Sequence, residues 1–242
     1  MRLTEEVADV TAGSWRDTIG SMPRLVPEYD IDSTRTALLL IELQNGTLNP
    51  AFGGLAMIAQ QHADIASYFF PRVRECVVPN ARRLLELFRA RGLQVIHVLA
   101  GTELPDGRDW LTPGQPQGRH AATGALIAPP RGSPAWEVVP ELAPLPGELM
   151  WQKPSAGGFG SGAFDTTLRA LGITTLVCAG VVTNGAVESC ARDAADRGYP
   201  VILADDACAA WDQTMHDATM RYFTMFLGNV RSTDDLIRRL RE

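Results

Sequence analysis

Paired cysteines are missing from this chain. Its 242 residues include four cysteines, Cys76, Cys178, Cys190 and Cys208, and no two stand in a C-x-x-C spacing. They lie in largely apolar segments, so neither a disulfide framework nor a thiolate cage is expected; reduced thiols in a cytoplasmic protein are. Histidine is equally sparse. His62, His97, His120 and His216 show no paired ligand spacing, and neither a metal nor another cofactor is expected. An excess of positive charge is also absent. The formal net charge is −6, which argues against a nucleic-acid or anionic-membrane partner and for a small-molecule substrate. No apolar run reaches the roughly 18 to 20 residues of a membrane span. The opening MRLTEEVADVTAGSW is polar and acidic, without the apolar centre of a secretion signal.

What is present is ordinary globular material, 45% apolar and 21% charged, enough for one large core. Residues 1–34 have weak periodicity and contain Pro23 and Pro27. They read as an arm, lying on the domain or on a neighbouring subunit, ahead of a domain over 35–242. Short β-branched runs predict strands at 36–42, 93–100, 148–152, 175–182 and 201–204, with a sixth at Val230. Three- and four-residue periodicity predicts helices at 55–68, 79–91, 164–171, 186–197, 212–226 and 233–240. Strands alternate with helices, and right-handed crossovers then give an α/β fold. The expected sheet is doubly wound, mainly parallel and six-stranded, in the order 3-2-1-4-5-6, with helices on both faces. Residues 101–134 hold six prolines and read as a long irregular insertion of the kind that forms lids or pocket walls.

The most informative stretch is Thr174 to Tyr199. An apolar strand, interrupted by Gly180, turns at Thr183-Asn184-Gly185 and becomes a helix closed by Arg197-Gly198. A strand that feeds a helix N-terminus presents free backbone N–H groups to whatever sits there. Two other marks stand at strand ends: Glu42-Leu43-Gln44-Asn45 after the first strand, and Lys153-Pro154 after the third. Cys190 lies one turn beyond Ala186, about 5.4 Å along the helix. It reads as a small buried hydrophobe rather than a displaced nucleophile. Asp205-Asp206 reads as a pair that closes strand five and holds the following loop.

From residue 36 to 242 the sequence resembles the isochorismatase-like cysteine hydrolases, a group that includes nicotinamidases, N-carbamoylsarcosine amidase, biuret hydrolase and the isochorismatases proper. The resemblance rests on Gly180-Val181-Val182-Thr183-Asn184-Gly185-Ala186, on Glu42-Leu43-Gln44-Asn45 and on Lys153. In that family an Asp takes the proton of a nucleophilic Cys, a Lys holds the carboxylate ionised, and two backbone N–H groups hold the oxyanion behind a cis peptide. Carried over, the carboxylate is Glu42, one methylene longer than the family's Asp. The ammonium is Lys153, the nucleophile position is Ala186, the cis bond joins Val181 and Val182, and the donors are Val182 and Ala186. The pocket wall expected from this frame is Phe159, in Gly157-Gly-Phe-Gly-Ser161, with Phe52 and Trp151, and with Gln44 and Asn184 as neutral hydrogen-bond groups.

Ala186 removes the thiol that an amide demands of its nucleophile. It reads either as an engineered replacement or as natural divergence, and the second departure at Glu42 favours divergence. With a cysteine at 186 the resemblance implies hydrolysis of a C–N bond. Without it, the isochorismatases proper supply the precedent of acid-catalysed hydrolysis, with Glu42 as the acid. The alternative is a protein without catalysis that binds a small carboxylate or serves as an assembly subunit. The arm, and the habit of the family, imply a homo-oligomer, a dimer or tetramer. Light scattering at micromolar concentration should give a mass of at least two chains, and a monomer would refute this.

Overall fold

The computed structural model describes residues 24–32, 34–160 and 163–241. Most of the expected arm, residues 1–23, lies outside the described residues, as do Ser161 and Gly162. Residues of the arm that are described run along the edge of the domain. The Leu25 N–H donates to Met225 O at 2.8 Å, and the Tyr29 N–H donates to the Asn229 side chain at 2.7 Å.

Six strands form one sheet: β1 (Thr36–Ile41), β2 (Gln94–Ala100), β3 (Leu149–Lys153), β4 (Thr175–Val181), β5 (Val201–Ala209) and β6 (Asn229–Arg231). All neighbours pair in parallel, in the order β3-β2-β1-β4-β5-β6. The reason is in β1, whose six residues are all buried. Side chains alternate across a strand, and here both faces are apolar. Leu38 and Leu40 enter one core layer with Phe69, Leu84 and Phe88; Leu39 and Ile41 enter the other with Val98, Phe164 and Met220. A strand buried on both sides belongs in the middle of a parallel sheet covered twice.

The helices follow in chain order: α1 (Asn45–Leu48), α2 (Gly54–Gln60), α3 (Ala63–Arg72), α4 (Val78–Ala90), α5 (Ala163–Ala170), α6 (Glu188–Asp196), α7 (Gln213–Phe226) and α8 (Thr233–Arg241). Helices α3, α4 and α8 cover the first face; α5, α6 and α7 cover the second. Two expectations need correction. The helix over 55–68 is two helices. The second, α3, continues through a π turn at Val73–Val77 into α4, so the helix anticipated at 79 has no break before it. Pro79 explains the π turn. Its ring would meet the carbonyl four residues back, and the wider turn lets the Val78 N–H reach Val73 O instead.

The other correction concerns β5, which runs on to Ala209 rather than ending before Asp205-Asp206. Its pairing with β4 slips: Cys178 faces Leu203 and Gly180 faces Cys208, so Ala179 alone stands opposite Ala204 to Ala207. This is an extended bulge. Both aspartates are held there by tertiary partners. Asp206 accepts from the Thr233 N–H and hydroxyl, each at 2.7 Å, at the start of α8. A sequence reading takes two adjacent acids for a loop because nothing local reveals those partners.

Gly180 fixes how closely β1 and β4 approach. Its φ is +138°, and a Cβ there would lie 2.0 Å from Ile41 O. Gly180→Ala should cost about 3 kcal/mol, since backbone and strand would have to separate. Urea unfolding measures it, and an unchanged midpoint would refute this account of the β1–β4 contact.

Candidate functional site

The site grows from the carboxyl ends of β1, β3 and β4, where doubly wound sheets bind ligands. The chain leaves β1 at Glu42 with φ +52°. A non-glycine residue held left-handed costs roughly 1–3 kcal/mol and marks positions fixed by their surroundings. Here the Glu42 N–H is fixed on Val98 O at 2.8 Å. The turn directs the carboxylate to Lys153, the last residue of β3, and the two form a direct ion pair. Lys153 is wholly buried and Glu42 is 6% exposed. The ammonium also donates to Ser155 O at 2.8 Å. Removing two charges from water offsets most of their attraction, so such a pair adds little to net stability. Its presence at a pocket floor fits chemistry better than scaffolding.

Beyond β4, the peptide between Val181 and Val182 is cis. The chain then makes a π turn at Thr183–Val187, with Gly185 outside helical geometry at φ −118°, ψ −106°. Glu42, Val182, Gly185 and the Ala186 methyl all line one pocket of about 250 Å³. Trp110, Thr112, Gln115 and Ile127, from the proline-rich insertion, close it on one side. Leu55, Ala100, Ala156 and Trp211 complete the wall.

Five residues expected in the wall are elsewhere. Gln44 is buried, and its carboxamide is fully used. It donates to Ala100 O and Trp136 O at 3.0 and 2.8 Å and accepts from the Ala100 N–H at 2.8 Å, tying the end of β2 to the loop. Phe159 turns into the core. Its ring lies 4.9 Å from Phe164, with the Arg197 guanidinium 5.0 Å away. The segment is also tied to α6, where the Gly158 N–H donates to Cys190 Sγ at 3.1 Å. Trp151 stacks on Phe164 at 4.8 Å and donates to Gly158 O at 3.2 Å. Phe52 is exposed and lines a separate cleft with Phe70 and Val73. Asn184 is exposed and outside the pocket wall. Trp110 and Trp211 were not anticipated. The available signal was their position, one in an irregular insertion and one just past a strand end, where aromatic residues on loops serve binding more than packing.

Behind the turn runs a second polar chain. Thr183 Oγ1 contacts His216 Nδ1 at 2.9 Å, and His216 Nε2 contacts Asp205 Oδ1 at 3.1 Å. All three side chains are buried. They brace the turn from below the pocket, and spacing in the sequence gave no hint of them.

Cys190 is not a displaced nucleophile. Its thiol is buried beneath Gly158, and burial pushes it up to about 11, against the opposing pull of the Lys153 ammonium. Cys208 is likewise pushed up to about 12 by burial.

Fold and pocket together define a doubly wound α/β protein with a small-molecule pocket at the carboxyl edge of its sheet. A model of the isochorismatase domain matches residues 36–235, and the chain belongs to the isochorismatase family of hydrolases. It is 30% identical over 213 residues to the isochorismatase family protein YwoC of Bacillus subtilis, covering 88% of this chain and 97% of that one. It is 32% identical to the ureidoacrylate amidohydrolase RutB of Stutzerimonas stutzeri, covering 84% and 81%. Among solved structures, a cysteine hydrolase of Pseudomonas syringae superposes with a TM-score of 0.70 at 25% identity, over 90% of this chain and 98% of that one. N-carbamoylsarcosine amidase of Thermoplasma acidophilum gives 0.60 at 27% identity, over 83% and 98%.

The thiol environments predict an order of alkylation. Cys76 is half-buried, whereas Cys178, Cys190 and Cys208 are buried. Iodoacetamide at pH 7.5 should give one adduct, at Cys76, with the others reacting only on unfolding. Burial also pushes the Cys190 thiol up, so little of it is the reactive thiolate at that pH. Mass spectrometry that finds Cys190 labelled as fast as Cys76 at pH 7.5 would refute its burial under Gly158.

Proposed function

We propose that this protein is a small-molecule hydrolase that works without a thiol nucleophile, with Glu42 moving the proton and Lys153 orienting it. One observation carries the reading. The pocket floor combines a carboxylate held by a buried ammonium with a methyl at residue 186, while the Cys190 thiol is sealed beneath Gly158. Such a floor suits general acid–base chemistry with water as the attacking species.

Acid-catalysed cleavage of a vinyl ether meets these terms. Glu42 takes up a proton from solvent and passes it to the unsaturated carbon. The resulting cation is attacked by water, which returns a proton to the Glu42 carboxylate. The adduct then collapses to a carbonyl compound and an alcohol. Lys153 stabilises the carboxylate in the interval between donation and return. The Val182 and Ala186 N–H groups have no part in stabilising this cation; they are the donors an oxyanion would need if a C–N bond were attacked instead. The same reading has the protein working in the cytoplasm as a dimer or tetramer, on the grounds of four free thiols and the N-terminal arm.

The names of two relatives, ureidoacrylate amidohydrolase and N-carbamoylsarcosine amidase, favour a second reading in which the scaffold is built for C–N bonds. A panel of vinyl ethers and of aryl and carbamoyl amides separates the two. Under the first reading the unaltered protein turns over a vinyl ether, and Glu42→Gln lowers kcat by about 10²–10⁴-fold. Equal rates for both proteins would remove Glu42 from the mechanism. Under the second, Ala186→Cys gains amide turnover, because a helix start lowers a thiol's pKa and Glu42 can accept its proton. The extra methylene of Glu42 misplaces the carboxylate, and about 1 Å can cost around a hundredfold. The paired Glu42→Asp, Ala186→Cys variant should therefore outperform Ala186→Cys alone. No amide turnover in either variant would sink the second reading.

A further inference from the structure

The pocket wall carries information about charge. Its described part is Leu55, Ile127, Trp110, Trp211 and small residues, with Thr112 and Gln115 as neutral polar groups and Glu42 as the one ionisable side chain. Among the described residues, no lysine, arginine or histidine lines it. Cations do stand on neighbouring segments, but each is engaged elsewhere. In the insertion, Arg108 pairs with Asp106 at 3.1 Å, Arg119 donates to Gly124 O at 3.0 Å, and Arg131 pairs with Glu103 at 2.7 Å. Arg72 donates to Cys208 O at 3.3 Å behind β5. Lys153 is fully buried beneath Glu42, its ammonium shared between that carboxylate and Ser155 O.

A carboxylate ligand would lose its water here and meet backbone N–H groups at most, but no cation to offset its charge. It would also meet the Glu42 carboxylate, and like charges in one site oppose each other. A flat apolar body meets two tryptophans instead. A dry cavity of about 150 Å³ holds benzene, so 250 Å³ admits roughly ten non-hydrogen atoms, one ring with a small polar group. We infer that this pocket takes a neutral, flat, single-ring-sized molecule and excludes carboxylates. The inference rests on the hydrolase reading only in assigning that molecule as substrate. The polar group lies toward Glu42 and the Gly185–Ala186 turn, and the ring lies between the insertion and Trp211.

Tryptophan-fluorescence titration with benzamide, benzoate and benzylammonium tests it by binding alone. Trp110→Phe and Trp211→Phe assign the signal to the pocket. Benzamide should bind at least tenfold more tightly than either ion. Benzoate or benzylammonium binding as tightly as benzamide would overturn the inference, as would no binding of benzamide at millimolar concentration. Thr112→Arg adds the missing cation at the pocket wall and should improve benzoate affinity at least tenfold. Retained benzamide binding in that variant, with benzoate no tighter, would overturn the role given to charge. No turnover of any substrate would defeat the hydrolase reading and leave the order of affinities intact. An inverted order would defeat this inference and leave that reading intact.

Discussion

Two opposite charges are buried together at the carboxyl edge of the sheet, and much of the site's geometry follows from holding them there. Glu42 and Lys153 come from strands that are not neighbours; β2 lies between them. The pair can meet only because Glu42 leaves β1 in a left-handed turn anchored on β2, at Val98 O. Lys153 reaches the same spot from the last position of β3, opposite Ala100. Either charge alone would be too costly to bury. Each therefore requires the other, and the two together tie three strands at their carboxyl ends.

The second constraint is the approach of β4 to β1. Gly180 lets the Ile41 carbonyl come closer than any side chain would allow. That proximity brings the Val182–Ala186 turn beside Glu42. The β5 bulge then supplies Asp205 behind the turn, where His216 links it to Thr183. The turn is thus held from the pocket side by packing and from the rear by a buried polar chain. Both supports fix the backbone of the turn beside Glu42.

Walls and floor have different origins. The floor comes from strand ends, whose positions the sheet fixes. The walls come from the insertion and from segments beside α2 and β5. Such walls vary without disturbing the sheet, so charge and size at this pocket are set independently of the fold. Ala186 shows the converse. The Ala186 side chain, which lines the floor, sits on a turn whose shape is set by its backbone, so that one side chain bears on the chemistry and not on the fold.

The sequence by itself determined the parallel six-stranded sheet, its strand order and the meeting of residues 42, 153 and 186 at one edge. The sheet depends on local apolar periodicity and on the handedness of crossovers, both of which are written in neighbouring residues; the meeting of the three residues was implied by the resemblance of their motifs to those of the family. Only tertiary structure decided which aromatic rings face the pocket. Phe159 and Trp151 sit in glycine-rich and strand-end contexts that suit a wall, yet both rings pack on Phe164 in the core, with the Gly158 N–H bonded to Cys190 beside them. Trp110 faces the pocket from the insertion, and Trp211 from the segment that follows β5. The fate of Asp205 and His216 was likewise nonlocal, fixed by a bulge that appears only when β5 pairs with β4. A side chain's direction depends on what packs against it from distant parts of the chain, and periodicity along the chain carries no record of that.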